Sequence, residues 1–245
     1  MLKNMEGQRV PDVKFRTRVD GQWKDITTKD LFERKKVVVF ALPGAFTPTC
    51  SSSHVPRYSE LEPAFKSAGI DDVVCISVND AFVMSEWAAN QHADNITFVP
   101  DGNGEFTAGM NMLVDKRDLG FGQRSWRYSM YVEDGVIKKM FIEPEVAGDP
   151  FTVSDADTML KHLQPGGAVP HDVLMFTKPG CSYCTKAKKL LNDKGWAYEE
   201  VAASPRRLRA VSGKSSTPQV FVDGRYVGGA DELEVFLKKT SETAA

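Results

Sequence analysis

Two short stretches of the chain combine cysteine with residue types that favour its reactive form. The first is PGAFTPTC, from Pro43 to Cys50, and the second is KPGCSYC, from Lys178 to Cys184. Each follows an apolar run and precedes a segment of helical pattern, so both are predicted to join a strand to a helix. A cysteine in the first turn of a helix lies near unpaired backbone N–H groups, which favour the nucleophilic thiolate. Both stretches therefore predict cysteine chemistry.

The lone cysteine of the first stretch is accompanied by signals of a helix start. Thr47 is predicted to cap the helix, and Pro48 to occupy its first position, where no backbone hydrogen bond is lost. Cys50 then lies in the first turn and is the candidate nucleophile. His54 follows one helical turn later, and the sequence leaves open whether this histidine is structural or acts on the thiolate.

The second stretch contains a Cys-x-x-Cys pair. Cys181 at the helix start is the candidate nucleophile, and Cys184, one turn further along, can close a disulfide with it. The pair alone leaves thioredoxins, glutaredoxins and disulfide isomerases open. Half of a zinc site is another interpretation, but neither a second cysteine pair nor a suitable histidine spacing completes it, so no metal site is predicted.

The elements around these stretches divide the 245-residue chain into two parts. The first part is predicted to alternate strands and helices, with a strand over residues 35–42, a helix over residues 52–68 kinked at Pro56, and a helix that opens at Ser154. The second part is predicted to contain strands over residues 172–177 and 196–201, a hairpin around Asp223-Gly224, and a final helix over residues 231–239.

Between the two parts lies QPGGAVP, and its prolines and glycines predict a linker over residues 165–170. We therefore expect one domain over residues 1–164 and a second over residues 171–245. Both are expected to be α/β domains of the thioredoxin-like type, each with a central mixed sheet flanked by helices. The placement of a Cys-x-x-Cys pair between the first strand and helix of the second domain is typical of that fold.

Composition excludes several classes of protein. The formal net charge of −2 gives no reason to expect nucleic acid or an anionic membrane as a partner. No apolar run approaches the ~20 residues that a membrane helix needs. The N-terminal residues lack the apolar segment of a secretory signal, so we expect a cytoplasmic protein.

The first part resembles the peroxiredoxins, whose active-site loop reads P-x-x-x-T-x-x-C, and in particular the plant type-two and mammalian type-five enzymes. The similarity extends through CISVNDAFVMSEW, DGNGEFT and FGQRSWRYSM. It implies that Cys50 attacks the peroxide, that Thr47 binds the peroxide, that Pro43 shields the sulfur from water, and that Arg127 stabilises the reacting charges. Arg124 is the second candidate for that role, but we expect it to be a solvated arginine on the surface.

The second part resembles the glutaredoxins. Ser-Tyr between the cysteines is similar to the Pro-Tyr of that family, although serine replaces the usual proline. The similarity implies that Cys181 is the nucleophile and Cys184 its resolving partner. It also implies a set of residues that hold glutathione: Lys178, Tyr183, Thr217, Pro218, Gly229 and Asp231. Arg206, Arg207 and Arg209 are basic neighbours, for which a solvated surface is the better interpretation.

Together the two parts resemble the bacterial peroxiredoxin–glutaredoxin hybrids. The resemblance implies a glutathione-dependent thiol peroxidase acting on hydrogen peroxide and alkyl hydroperoxides, with antioxidant and redox-homeostasis roles. Glutathione is then a reducing co-substrate, no cofactor is tightly bound, and the chain forms a homo-oligomer, a dimer or a tetramer. A redox-sensing, partner-binding protein and a general protein deglutathionylase are the alternatives.

The sequence leaves several points of this cycle open. Cys75 occupies the place of the resolving cysteine of the plant enzymes, yet it lies in a run typical of a buried strand, so a structural role is favoured. Electron transfer within one chain or between chains is not distinguished, nor is the need for Cys184.

Overall fold

The structure, a computed structural model, describes residues 2–19, 21–166 and 170–242. Two compact units divide the chain, Met1–Ala168 and Val169–Ala245. Residues 167–169 of the predicted linker lie outside the described residues. No helix in the described part of the chain is both long and apolar enough to cross a membrane.

The first unit contains nine strands and five α-helices among its described residues. The strands are β1 (Lys14–Val19), β2 (Gln22–Thr27), β3 (Lys36–Leu42), β4 (Asp72–Ser77), β5 (Thr97–Pro100), β6 (Leu113–Asp115), β7 (Gln123–Ser125), β8 (Tyr128–Glu133) and β9 (Val136–Ile142). The helices are α1 (Thr28–Phe32), α2 (Val55–Ser67), α3 (Ala81–Asn90), α4 (Glu105–Gly109) and α5 (Ala156–Leu163), with a π-helical turn over Cys50–His54 and a 3-10 turn over Arg117–Leu119.

The central sheet of this unit has the order β5-β4-β3-β8-β9. Strand β3 is parallel to β4 and antiparallel to β8, so the sheet is mixed, as predicted. Residues 37–42 of β3 have no exposed surface, because both faces of the strand are covered. Val37 and Val39 point into the main core, whereas the ring of Phe40, on the opposite face, stacks on Tyr58 of α2 with a centroid distance of 4.1 Å. This contact fixes the start of α2 over the end of β3.

The helix predicted over residues 52–68 differs from the one observed. Its irregularity is the π-helical turn that ends at His54, and Pro56 follows two residues later in the first turn of α2. The interior proline is Pro63, which has no N–H to donate to the carbonyl of Ser59. The side-chain amide of Asn95 donates to that carbonyl instead, at 2.8 Å. The lost helical bond is thus replaced from a neighbouring segment.

A second difference concerns the helix predicted to open at Ser154. Helix α5 begins at Ala156, and its cap is Asp155, whose carboxylate accepts from the N–H of Thr158 at 2.8 Å. Ser154 instead bonds to Glu143, so tertiary contacts have taken it out of the capping position.

The second unit is a smaller α/β layer. Its described elements are β10 (Val173–Thr177), α6 (Ser182–Asp193), β11 (Glu199–Ala202), α7 (Pro205–Ser212), β12 (Gln219–Val222), β13 (Arg225–Gly228) and α8 (Ala230–Glu242). The strands have the order β11-β10-β12-β13, with β10 parallel to β11 and antiparallel to β12. Asp223 and Gly224 have φ of 49° and 71°, which makes the predicted β12–β13 hairpin turn a type I′ turn. The α/β class and the mixed sheets flanked by helices are confirmed in both units.

Candidate active site

Cys50 lies where the central strand β3 passes into α2 through a half-buried loop. Its side chain has 0% exposed surface. The loop begins at Pro43, which is half-buried. Thr47 immediately precedes the helical residues, and its hydroxyl donates to the carbonyl of Gly44 at 2.8 Å. Among the described residues, the N–H of Ser51 donates to the backbone carbonyl of Thr47 and no N–H of the helix donates to its hydroxyl, so the predicted side-chain cap is wrong. The lone pairs of that hydroxyl remain able to accept a hydrogen bond, and a peroxide O–H is a donor of the required type.

A side chain from the neighbouring strand end holds this loop in place. The amide oxygen of Asn79 accepts from the N–H of Ala45 at 3.0 Å and from the hydroxyl of Ser77 at 2.7 Å. Arg124 donates to the carbonyls of Val78 at 2.8 Å and Phe121 at 3.0 Å. Arg124 is therefore neither a contact of Cys50 nor a freely solvated arginine, since it ties two loops together.

Arg127 is the residue that the structure brings to Cys50. Its side chain is 1% exposed, and its Nη1 lies 3.5 Å from the sulfur of Cys50 and 3.0 Å from Nδ1 of His54. Its Nη2 donates to the carboxylate of Asp149 at 2.5 Å. The guanidinium also lies 5.5 Å from the ring of Phe151, within cation–π range. A permanent positive charge is thus fixed beside the buried sulfur.

The protonation of His54 follows from its two partners. Nε2 lies 3.3 Å from the carbonyl oxygen of Ser154, which can only accept, while the guanidinium of Arg127 can only donate. Nε2 therefore carries the proton and Nδ1 accepts. Burial, and secondly the charge of Arg127, lower the pKa of His54 from 6.5 to about 3, so the ring is neutral at physiological pH. The sequence left open whether His54 is structural or acts on the thiolate. In the structure its ring contacts Arg127, which in turn contacts Cys50, so any effect on the thiolate is indirect.

The buried carboxylate of Glu143 holds the segment whose carbonyl contacts His54. Glu143 accepts hydrogen bonds from the backbone N–H groups of Thr152, Val153 and Ser154 and from the hydroxyls of Thr152 and Ser154, at 2.8–2.9 Å. Burial alone would raise the pKa of Glu143, but the hydrogen bonds from Val153, Ser154 and Thr152 lower it to about 2. The carbonyl that orients His54 is thus held by an ionised carboxylate.

Cys75 lies on β4, opposite Phe40 of β3, and has no exposed surface. Burial raises the pKa of its thiol well above the usual value, and the neighbouring Cys50 adds to the effect. A thiol kept neutral and enclosed in a sheet is a poor nucleophile. These observations favour the structural role for Cys75.

The second cysteine site lies at the start of α6, where Cys181 and Cys184 form a disulfide with a Cα–Cα distance of 5.2 Å. The N–H of Cys184 donates to the sulfur of Cys181 at 3.1 Å, and the hydroxyl of Thr217 lies 3.5 Å from the same sulfur. The peptide bond between Thr217 and Pro218 is cis. Cys181 is half-buried, whereas Cys184 is buried. The sulfur of Cys181 is therefore the more accessible of the two.

The residues predicted to hold glutathione are partly brought together. Lys178 lines the same surface depression as Cys181, and Tyr183 in the first turn of α6 is 57% exposed. Gly229 lies against the backbone of Pro218, and its N–H donates to the carboxylate of Glu232 at 2.9 Å. Asp231 is exposed, and Lys186 of α6 donates to it at 2.7 Å. Two groups predicted to contact glutathione thus have partners within the chain.

Sequence reasoning did not find Asp149 and Glu143. Neither belongs to a motif, and each meets its partner through the tertiary fold; Asp149 lies 22 positions beyond Arg127 in the chain. One sequence alone does not show which carboxylate pairs with an arginine; a constant spacing between the two would become visible only in several related sequences. Arg206, Arg207 and Arg209 lie on α7 and are exposed, as expected.

Comparison with known proteins identifies both units. The Redoxin family model matches residues 5–160, and the Glutaredoxin model matches residues 173–227. Hybrid peroxiredoxin hyPrx5 of Haemophilus influenzae is 58% identical over 240 residues, which are 96% of this chain and 100% of that protein. The chain belongs to the hybrid peroxiredoxins.

Other relatives of this hybrid peroxiredoxin match its first unit. Peroxiredoxin sll1621 of Synechocystis is 55% identical over 183 residues, 68% of this chain and 97% of that protein. The crystal structure of reduced Prx3 from Vibrio vulnificus in complex with hydrogen peroxide matches with a TM-score of 0.62 at 37% identity, covering 66% of this chain and 100% of that one. As a peroxiredoxin with a glutaredoxin domain, the protein is a peroxidase with an antioxidant role.

Proposed function

We propose that this hybrid peroxiredoxin is a glutathione-dependent thiol peroxidase for hydrogen peroxide and alkyl hydroperoxides, in which Cys50 reacts with the peroxide and Cys181 delivers electrons from glutathione. The observation that carries the proposal is the guanidinium of Arg127, 3.5 Å from the buried sulfur of Cys50. A fixed cation beside a nucleophile stabilises both its thiolate and the charge that develops on a leaving oxygen.

In the first half-reaction, the thiolate of Cys50 attacks one peroxide oxygen and the O–O bond breaks. The sulfur gains that oxygen and becomes a sulfenic acid, and the other oxygen leaves as hydroxide or alkoxide and takes up a proton. Arg127 supplies positive charge to the departing oxygen, and the hydroxyl of Thr47 accepts from the peroxide. His54, being neutral, supplies no proton in this step.

In the second half-reaction, glutathione condenses with the sulfenic acid, releases water and leaves a mixed disulfide on Cys50. The thiolate of Cys181 attacks the glutathione sulfur of this disulfide, which frees Cys50 as a thiolate. A second glutathione thiolate attacks the mixed disulfide on Cys181 and leaves as oxidised glutathione. Closure of the Cys181–Cys184 disulfide is the alternative branch, which two glutathione molecules reverse.

The burial of Cys50 adds a condition to this scheme. Its sulfur has no exposed surface in the described conformation. A small movement of the protein admits a peroxide to this sulfur, whereas a tripeptide such as glutathione needs a larger opening. The turn Cys50–His54 must therefore open before the oxidised sulfur meets a thiol. Glutathione remains a co-substrate and not a bound cofactor, and location in the cytoplasm and a homo-oligomeric state remain expectations.

The test measures peroxide consumption with glutathione in the parent protein and in Cys50→Ser, Cys181→Ser and Cys184→Ser variants. We expect Cys50→Ser to lose peroxide consumption but to keep glutathione–disulfide exchange on hydroxyethyl disulfide. Cys181→Ser should lose continuous turnover, while its Cys50 still consumes one equivalent of peroxide. Cys184→Ser should retain turnover if the mixed disulfide on Cys181 is reduced directly by glutathione.

Three results would overturn the proposal. Continuous peroxide consumption by the Cys50→Ser variant would place the reaction elsewhere. Full glutathione-supported turnover by Cys181→Ser would show that the glutaredoxin domain is not the electron donor. A parent protein that reacts with peroxide once and does not turn over with glutathione would favour the redox-sensing alternative.

A further inference from the structure

The guanidinium of Arg127 has a second acidic neighbour besides the sulfur of Cys50. Nη2 donates to Asp149 Oδ1 at 2.5 Å, on the side opposite to the nitrogen that faces the sulfur at 3.5 Å. Arg127 is 1% exposed and Asp149 42% exposed, so the pair joins a buried cation to a carboxylate at the protein surface. A buried guanidinium without a counter-charge is strongly destabilising.

The segment that carries Asp149 is anchored on its C-terminal side. Phe151 lies under the guanidinium of Arg127 at 5.5 Å and against the ring of His54 at 4.9 Å. Residues 152–154 are then held by the carboxylate of Glu143. Asp149 is therefore presented to Arg127 from a segment whose position is set by independent contacts.

The charges around this site change during the reaction. Arg127 remains protonated throughout, because a guanidinium does not lose its proton in proteins. The thiolate of Cys50 becomes an uncharged sulfenic acid when it takes an oxygen from the peroxide, so its negative charge leaves the site with the departing oxygen. The carboxylate of Asp149 takes no part in this step, so its negative charge is still beside Arg127 when that of the thiolate has gone.

We propose that Asp149 is a positioning residue of the peroxide site: it fixes the guanidinium of Arg127 with Nη1 towards the sulfur, competes with that sulfur for the positive charge, and compensates Arg127 once the thiolate has been consumed. The inference rests on the proposed role of Cys50 as the attacking thiolate. A carboxylate that shares the cation in this way lowers the preference of the site for the thiolate.

The other titratable groups around Arg127 are accounted for. His54 accepts from Nη1 and is neutral at physiological pH. Glu143 lies behind His54 and is committed to the N–H groups of residues 152–154. Cys75 is enclosed in the sheet, and burial raises the pKa of its thiol, so it stays uncharged. Among the described residues, Asp149 and the Cys50 thiolate are thus the anions that contact Arg127.

The test uses the full chain in a Cys181→Ser/Cys184→Ser background, where Cys50 is the reactive sulfur to follow, since Cys75 is enclosed in the sheet. Asp149→Asn keeps an accepting oxygen and removes the charge, Asp149→Ala removes both, and Asp149→Glu restores the charge. Glu145→Gln is the matched control, because Glu145 is an exposed carboxylate of the same loop without a hydrogen bond or ion pair to the described residues.

Two quantities are measured: the second-order rate constant of Cys50 oxidation by hydrogen peroxide, and the pH midpoint of Cys50 alkylation by iodoacetamide. We expect Asp149→Asn to move the alkylation midpoint down by about half to one pH unit, since one negative charge near the sulfur is lost. We expect Asp149→Ala to slow oxidation about tenfold, since the guanidinium is no longer oriented. Asp149→Glu should recover part of the rate, and Glu145→Gln should change neither quantity.

An unchanged alkylation midpoint in Asp149→Asn, together with an oxidation rate in Asp149→Ala within twofold of the parent, would overturn the inference. If Asp149→Ala fails to fold, the midpoint of Asp149→Asn decides alone. A parent protein in which Cys50 does not react with peroxide would instead refute the proposed function, so the two failures are distinguishable.

Discussion

Nδ1 of His54 accepts a hydrogen bond of 3.0 Å from the guanidinium of Arg127, and the opposite nitrogen of the same ring lies 3.3 Å from the carbonyl of Ser154. The carbonyl of Ser154 therefore orients the ring, and the ring in turn orients the arginine beside Cys50. Because burial lowers the pKa of His54 to about 3, the contact keeps the same direction throughout the physiological pH range.

Replacement of His54 by Phe should test this relationship. The variant keeps an aromatic ring against Phe40 and Tyr58 but loses the acceptor for Arg127. We expect the rate constant of Cys50 oxidation by hydrogen peroxide to fall about tenfold, which corresponds to one lost hydrogen bond of about 1.4 kcal/mol. His162→Phe, on the exposed face of α5, is the control. A rate within twofold of the parent would show that His54 only packs.

The carboxylate of Glu143 should make the first unit sensitive to acid. Its folded-state pKa of about 2 lies below the ordinary 4.5, so the stabilisation is complete above pH 4.5 and is lost as the pH falls towards 2. The expected contribution at neutral pH is at most about 3 kcal/mol, since one pKa unit corresponds to about 1.4 kcal/mol. In urea unfolding at a series of pH values, Glu143→Gln should be less stable than the parent at pH 7, with a difference that shrinks below pH 4.5. A difference independent of pH would contradict the assignment.

Cys75 should be dispensable for turnover. The thiol is buried in β4 and its pKa is raised, so it is not available to resolve an oxidised Cys50. We expect Cys75→Ala to keep the steady-state rate of glutathione-dependent peroxide reduction within twofold, at a cost of about 1 kcal/mol in stability. A loss of turnover comparable to that of Cys181→Ser, in a variant that remains folded, would instead assign Cys75 a resolving role.

Asp231 should govern the affinity of the second site for glutathione. Its carboxylate is 70% exposed and lies 2.7 Å from the ammonium group of Lys186, so solvent screens its interactions. We expect Asp231→Asn to raise KM for glutathione about three- to tenfold and to change kcat by less than twofold, because the ammonium end of the γ-glutamyl group loses its counter-charge. Asp193→Asn, at the far end of α6 and paired with Lys189, is the matched control. Equal KM values in both variants would remove Asp231 from the glutathione site.

The sequence predicted those parts of the site that depend on local chemistry. The strand, loop and helix around Cys50 follow from an apolar run and a Thr-Pro pair, and the contact with Arg127 came from the resemblance to a family. The contacts of Asp149, Glu143 and His54 were not predictable from the sequence. Each contact joins segments that are distant in the sequence and become neighbours only through the order of the strands in the sheet. Thr47 differs from these residues, because the contact that replaces its predicted cap is local: its hydroxyl donates to the carbonyl of Gly44, three residues earlier in the same loop.

Some elements outside the sequence prediction nevertheless carry local signals. Helix α7 begins with Ser204 as its cap and Pro205 in its first turn, a common helix start. The β1–β2 hairpin, by contrast, has charged residues on both of its strands, including Arg16 and Lys24, and its apolar pattern is weak. The strand predicted over residues 196–201 begins only at Glu199, because Trp196 packs against the core of the second unit before pairing starts.

The π-helical turn at Cys50 also constrains how this segment can change in length during evolution. The N–H of Val55 donates to the carbonyl of Cys50, five residues back, so the turn contains one residue more than a turn of α-helix. Deleting one of Ser51, Ser52 or Ser53 would restore ordinary helical spacing and leave the cysteine facing nearly the same direction, because the five residues of the π-helical turn span about the same rotation as four residues of an α-helix. A second deletion would rotate the cysteine by about 100° around the helix axis, away from the arginine, so homologues that use this cysteine are expected to lack at most one of these three residues.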